Sequence, residues 1–99
     1  MPAYLIANID ITDPDLFATY RAQVPAVIAQ YGGKYAVRGG AVETVEGTSP
    51  FQRLVVLEFP SMAALKSFYH SAEYAPLIAL RQKASRGDVI LVEGYAPPA

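Results

Sequence analysis

Leu54-Val55-Val56-Leu57-Glu58-Phe59-Pro60-Ser61, continuing through Tyr69-His70-Ser71-Ala72-Glu73-Tyr74 to Arg81, is the stretch whose reading decides the fold. From Arg53 the chain enters a run to Phe59 that is apolar after Arg53 itself with only Glu58 interrupting, as expected of an interior strand covered on both faces. Ser61 then caps a short helix bearing Leu65, Phe68 and Tyr69, and Ser71 caps the next. In that second helix Pro76 must lie in the first turn or kink one longer helix. Arg81 shares a helical face with Tyr74, Leu77 and Ile78, which aims its guanidinium at the sheet.

Upstream of this unit, residues 3–11 alternate, with Leu5, Ala7, Ile9 and Ile11 on one face and Tyr4, Ile6, Asn8 and Asp10 on the other. Asp13-Pro14-Asp15 is a helix start. Asp13 caps, Pro14 suits the first helical position because its missing N–H had no partner, and Asp15 complements the positive dipole end. Leu16, Tyr20, Val24, Val27 and Tyr31 then recur at helical spacing, with Pro25 expected to kink the helix and Gly32-Gly33 to end it. Residues 34–38 read as a second strand. Gly39-Gly40 reads as a bulge within it, because residues 41–46 resume alternation, and residues 47–50 form the turn. Residues 88–94 make a last strand, and 95–99 an extended tail.

The order is therefore strand, helix, strand, strand, helix pair, strand. With short connections it gives an α+β, ferredoxin-like βαββαβ sandwich: one domain over 1–99, a four-stranded antiparallel sheet with helices on one face. Ninety-nine residues bury a thin core, yet 53% are hydrophobic and only 17% charged. Val89-Ile90-Leu91-Val92 and residues 53–59 place aliphatic side chains on both faces of a sheet that has helices for one. The second face is then expected to be closed by a homodimer, sheet face against sheet face.

A net charge of −1 provides no basic field for nucleic acid or an anionic membrane. The longest uncharged run contains a proline and falls short of a membrane span. No cysteine is present, and the N-terminus lacks the basic start of a signal peptide, so the expected location is the cytoplasm.

Tyr31-Gly32-Gly33-Lys34-Tyr35, Arg38-Gly39-Gly40, Val45-Glu46-Gly47, residues 56–61, Phe68-Tyr69 and Ser71-Ala72-Glu73-Tyr74 with Arg81 together resemble the bacterial family called domain of unknown function 1330. Ala72 departs from it, standing where the family often has proline. The resemblance covers nearly the whole chain and implies the dimeric α/β-barrel superfamily, hence the same fold and dimer. It carries over no catalytic residue. Relatives in that superfamily include cofactor-independent monooxygenases, muconolactone isomerase-like enzymes and haem proteins.

The candidate site lies between sheet and helices. Arg81 is read as a clamp for a carboxylate or enolate, or as a structural ion pair with Glu58. Arg38 closes the cleft mouth or is a plain exposed arginine. Tyr20, Tyr69 and Tyr74 supply aromatic walls and hydroxyls, or are ordinary core. Asn8 and Glu58 interrupt apolar strands and need partners; pointing into the cleft with Arg81 they would orient a ligand or exchange a proton. His70, the single histidine, is either a general base or a solvated helix-end residue. One histidine and no cysteine leave too few ligands for a metal site, and haem and other cofactors are not expected. Two functions follow: a protein that binds or transforms a small anionic or carbonyl-bearing molecule, by cofactor-free oxygenation or isomerisation in the superfamily's manner, or a non-catalytic, stress-related ligand-binding module.

Overall fold

The computed structural model describes residues 1–51 and 53–98. The elements are β1 (Ala3–Ile11), α1 (Pro14–Gln30), β2 (Lys34–Gly40), β3 (Leu54–Phe59), α2 (Met62–Tyr69), α3 (Ala75–Ala84) and β4 (Ser85–Glu93). The strands form one sheet in the order β2-β3-β1-β4, every neighbouring pair antiparallel. This is the ferredoxin-like α+β arrangement that the order of apolar runs predicts.

Local chemistry sets the boundaries. The Asp13 side chain accepts the Leu16 N–H at 3.1 Å and the Ser61 hydroxyl accepts that of Ala64 at 3.1 Å, two side-chain caps that stabilise their helices by ~1 kcal/mol each. α1 continues through Pro25 and ends in a paired-bond cap: Gly33 N–H donates to the Ile28 carbonyl and Gly32 N–H to that of Ala29. Gly32 takes φ +81° there, which a side chain would resist. Pro76 lies in the first turn of α3, and the Ser71 hydroxyl accepts the Tyr74 N–H ahead of that helix.

The core occupies the sheet face under the helices. Ala3, Leu5, Ala7 and Ile9 of β1 and Leu57 and Phe59 of β3 are buried against Phe17, Val24 and Ile28 of α1, Leu65 and Phe68 of α2, and Tyr74 and Leu77 of α3. The stripe on α1 is thus centred on Phe17, Val24 and Ile28, with Leu16, Tyr20, Val27 and Tyr31 flanking it. Of the periodic set read from the sequence, Val24 lies at its centre and the other four mark its edges.

Two boundaries differ from the sequence reading. β2 ends at Gly40, and residues 41–46 are exposed chain outside the sheet, since alternation without a partner strand makes no ladder. β4 begins at Ser85, directly after the last residue of α3. Residues 95–98 follow it without helix or strand, and Ala99 of the expected tail lies outside the described residues.

The opposite face carries Tyr4 and Ile6, Val56, Val37, and Ile90 and Val92, the last two 55% and 40% exposed. No helix or strand among the described residues covers it, so β3 is interior to the sheet but sheltered by helices on one side only. No helix among the described residues is long and apolar enough to cross a membrane.

Candidate functional site

A cleft opens between the helix-side sheet face and the helices α1 and α3, with about 520 Å³ of empty space counted out through its mouth. Its floor is aliphatic, from Leu5, Ala7 and Ile9 of β1, Val55 and Leu57 of β3 and Val89 of β4. Over that floor stand Tyr20, Tyr35 and Tyr74 and four arginines, Arg21, Arg38, Arg53 and Arg81. Among the described residues no aspartate or glutamate lines it, although the chain as a whole is slightly acidic.

Each arginine arrives by a different local device. Arg81 lies on the buried stripe of α3 with Leu77 and Ala84, at 8% exposure, and its Nε has no hydrogen-bond partner. Arg53 precedes β3 in phase with Val55 and Leu57, so the strand's pleat turns it to the cleft, where its buried Nε is also unpartnered. Its guanidinium rests on Gly39: a Cβ there would run into Arg53 Nη1, and Gly39 itself has φ +69°. Arg38 depends on a bulge. β2 pairs Tyr35 with Leu57 but Val37 with Val56, so Ala36 is an extra residue that restores Arg38, opposite Val55, to the cleft side. Without it Tyr35 and Arg38, three residues apart, would face opposite ways. Arg21 follows Tyr20 at the edge of the α1 stripe.

Aromatic rings hold these guanidiniums where acids ordinarily would. The guanidinium carbon of Arg21 is 5.7 Å and that of Arg53 5.8 Å from the Phe17 ring centre, and that of Arg38 is 4.8 Å from the Tyr35 ring centre. Such contacts engage the flat faces and leave the N–H edges available. Among the described residues, the single ion pair within 4 Å is Lys34 with Glu58, away from the cleft. Burial, and then the charges of Arg21 and Arg38, lower the pKa of Arg53 from its usual value. At the inner wall the hydroxyls of Tyr20 and Tyr74 are 2.8 Å apart, one donating to the other. Burial and then the Tyr74 contact push the Tyr20 phenol well above its ordinary range; burial raises Tyr35 too, against the lowering influence of Arg38.

Of the residues singled out in the sequence, Tyr20, Arg38, Tyr74 and Arg81 converge on the cleft. The others do not. Tyr69 is half-buried edge-on against Tyr74, its ring centre 5.8 Å away, and lines no part of the cavity. His70 is an exposed residue ending α2. Asn8 and Glu58 share a face, but it is the one without helices: Asn8 alternates with the buried Ala7 and Ile9 and donates to the Pro50 carbonyl at 3.2 Å, and Glu58 pairs with Lys34 at 3.7 Å. The expected cluster of Asn8, Glu58 and Arg81 and the expected Glu58 to Arg81 brace are thereby corrected; strand parity separates them by the thickness of the sheet. Arg21, Tyr35 and Arg53 were missed. Parity with Val55 and Leu57 was a usable signal for Arg53. No cluster of three potential metal-ligating side chains occurs among the described residues.

A four-stranded antiparallel sheet under helices, with a cleft between the two layers, defines a ferredoxin-like α+β protein. Within that class the chain belongs to the family described as domain of unknown function (DUF1330), whose model matches residues 2–95. No curated protein matches it. Among solved structures it is similar to a protein of unknown function from Rhodopseudomonas palustris (18% identity, TM-score 0.75, covering 97% of this chain and 84% of that one). A dimeric ferredoxin-like protein of unknown function from Jannaschia sp. CCS1 shares the fold at 13% identity and TM-score 0.70, covering 95% of this chain and 100% of that one. SnoaB, a cofactor-independent oxygenase from Streptomyces nogalater, does so at 13% identity and TM-score 0.62, covering 97% and 95%.

Proposed function

We propose that the protein binds a small organic anion with an apolar or aromatic body in the cleft, as a homodimer formed through the bare sheet faces. One observation carries the binding reading: four arginines line an aliphatic and aromatic cleft that has no acid in its wall. A guanidinium fork matches a carboxylate with two parallel hydrogen bonds, and the aliphatic floor suits the rest of such a ligand. Among the described residues its wall has no histidine, carboxylate or thiol, and Tyr20 and Tyr35 keep their protons at neutral pH. Any proton chemistry therefore falls to an acidic ligand whose conjugate base the arginines stabilise. Oxygenation without a cofactor, the activity of SnoaB, is the enzymatic form of this reading; binding without turnover is the other.

Thermal-shift screening with aromatic and keto acids, each beside its methyl ester, tests it. Acids should raise Tm by about 4 °C or more near saturation while the esters do nothing, and Arg38→Gln should abolish the gain. Equal stabilisation by esters, or an undiminished gain in Arg38→Gln, would overturn the reading. Oxygen uptake with a bound acid then separates enzyme from binding module.

The dimer rests on the aliphatic patch of Ile6, Val56, Ile90 and Val92, and the Jannaschia protein is a dimeric example of the fold. Analytical ultracentrifugation should find twice the chain mass for the wild type and the single-chain mass for Val56→Lys. A wild type that sediments as one chain at micromolar concentration would end this part of the proposal.

A further inference from the structure

The four cleft arginines fall into two groups. Arg21, Arg38 and Arg53 gather around Phe17 and Tyr35, and Arg53 is close enough to the other two for their charges to weigh on its own. Arg81 stands apart on α3 beside the Tyr20 and Tyr74 pair, more than nine-tenths buried, with its Nε unpartnered. A brace for the fold would match one cation to one acid. Here like charges are concentrated instead, and among the described residues no carboxylate lies within 4 Å of any of them. Such a gathering costs free energy until counter-charge enters, the pattern expected of a binding site rather than a stabilising network. A ligand with one carboxylate brings one charge and fills one fork, leaving the second group as it was.

We infer that the ligand of this cleft is a dianion: a compact aromatic or aliphatic body bearing either two carboxylates or one doubly ionised phosphate. This rests on the anion-binding reading above and specifies its charge. Carboxylates at two positions would engage both groups; a phosphate would place both charges and three oxygens against the Arg21, Arg38 and Arg53 group, with the organic body lying over Val55 and Leu57 toward Tyr74.

Isothermal titration of the full chain at pH 8 and constant ionic strength, with benzoate, isophthalate, phenyl phosphate and dimethyl isophthalate as probes, tests the inference. At least one dianion should bind about tenfold or more tighter than benzoate, each tenfold being 1.4 kcal/mol. Which dianion does so identifies the source of the two charges. The ratio should shrink in Arg53→Gln and in Arg38→Gln, both checked for folding by circular dichroism. Benzoate binding as tightly as both dianions would overturn the dianion and leave the anion-binding reading standing. Binding of the neutral diester alone, or of none of the acids, would overturn both.

Discussion

The two faces of the sheet are made from the same strands, yet they solve opposite problems. On the bare side Ile6, Val56 and Val92 are accompanied by a matched ion pair, Lys34 with Glu58. On the helix side equally aliphatic residues are accompanied by cations without acids, steadied by phenyl and phenol rings. On the first face a cation and an acid of the chain meet each other. Charge on the second is left over, as suits a cavity that waits for something else.

The largest difference should appear on truncating one apolar side chain on each face of β3. Phe59, 1% exposed and packed on Gly33 and Phe68, should cost ~3–5 kcal/mol in urea unfolding as Phe59→Ala. Val56→Ala, one pleat away on the bare face, should cost well under half that at dilutions where only single chains are present, and equal losses would erase the contrast.

The arginines should behave inversely to ordinary buried residues. Arg81→Met removes an unpartnered buried donor and an uncompensated charge, so the ligand-free protein should gain ~1–2 kcal/mol. A loss of stability of the same size would mean that Arg81 braces the fold after all.

Alkaline pH should strain the helix side alone. The Tyr20 phenol is raised in the folded state by burial, whereas in the unfolded chain it ionises near its usual value of about 10. The unfolded state thus loses this proton first, and the stability tied to it, complete below about pH 10, declines as pH climbs beyond. Tyr20→Phe should flatten that decline in a pH series of unfolding curves, at a cost of ~1 kcal/mol at neutral pH for its bond to Tyr74. Least of all, Lys34→Ala on the bare side should change single-chain stability by less than ~0.5 kcal/mol, since its pair with Glu58 is 72% and 34% exposed.

Element order and strand β1 were legible because alternation and caps are local signals. Asn8 shows how far this reaches: its phase with Tyr4 and Ile6, against Leu5, Ala7 and Ile9, already puts it opposite the helices. Glu58 carried no such signal, because β3 is apolar in both phases and either neighbour set passes for core. Arg81 was legible from helical spacing with Tyr74 and Leu77. Arg21 was not, because the α1 stripe turns on Phe17 and Ile28, and its centre is set by where α3 packs rather than by the periodicity of α1. Arg38 reached the right place in the reading without the reason, since no letter announces that Ala36 will be skipped by the ladder.

That skipped residue makes the cleft's chemistry a matter of chain length as well as of spelling. Excising Ala36 would carry a positive charge through the sheet to the far side with every functional letter intact. Insertions and deletions in this one edge strand thus offer a lineage a way to exchange what the cavity accepts, along a route that substitution scanning never visits.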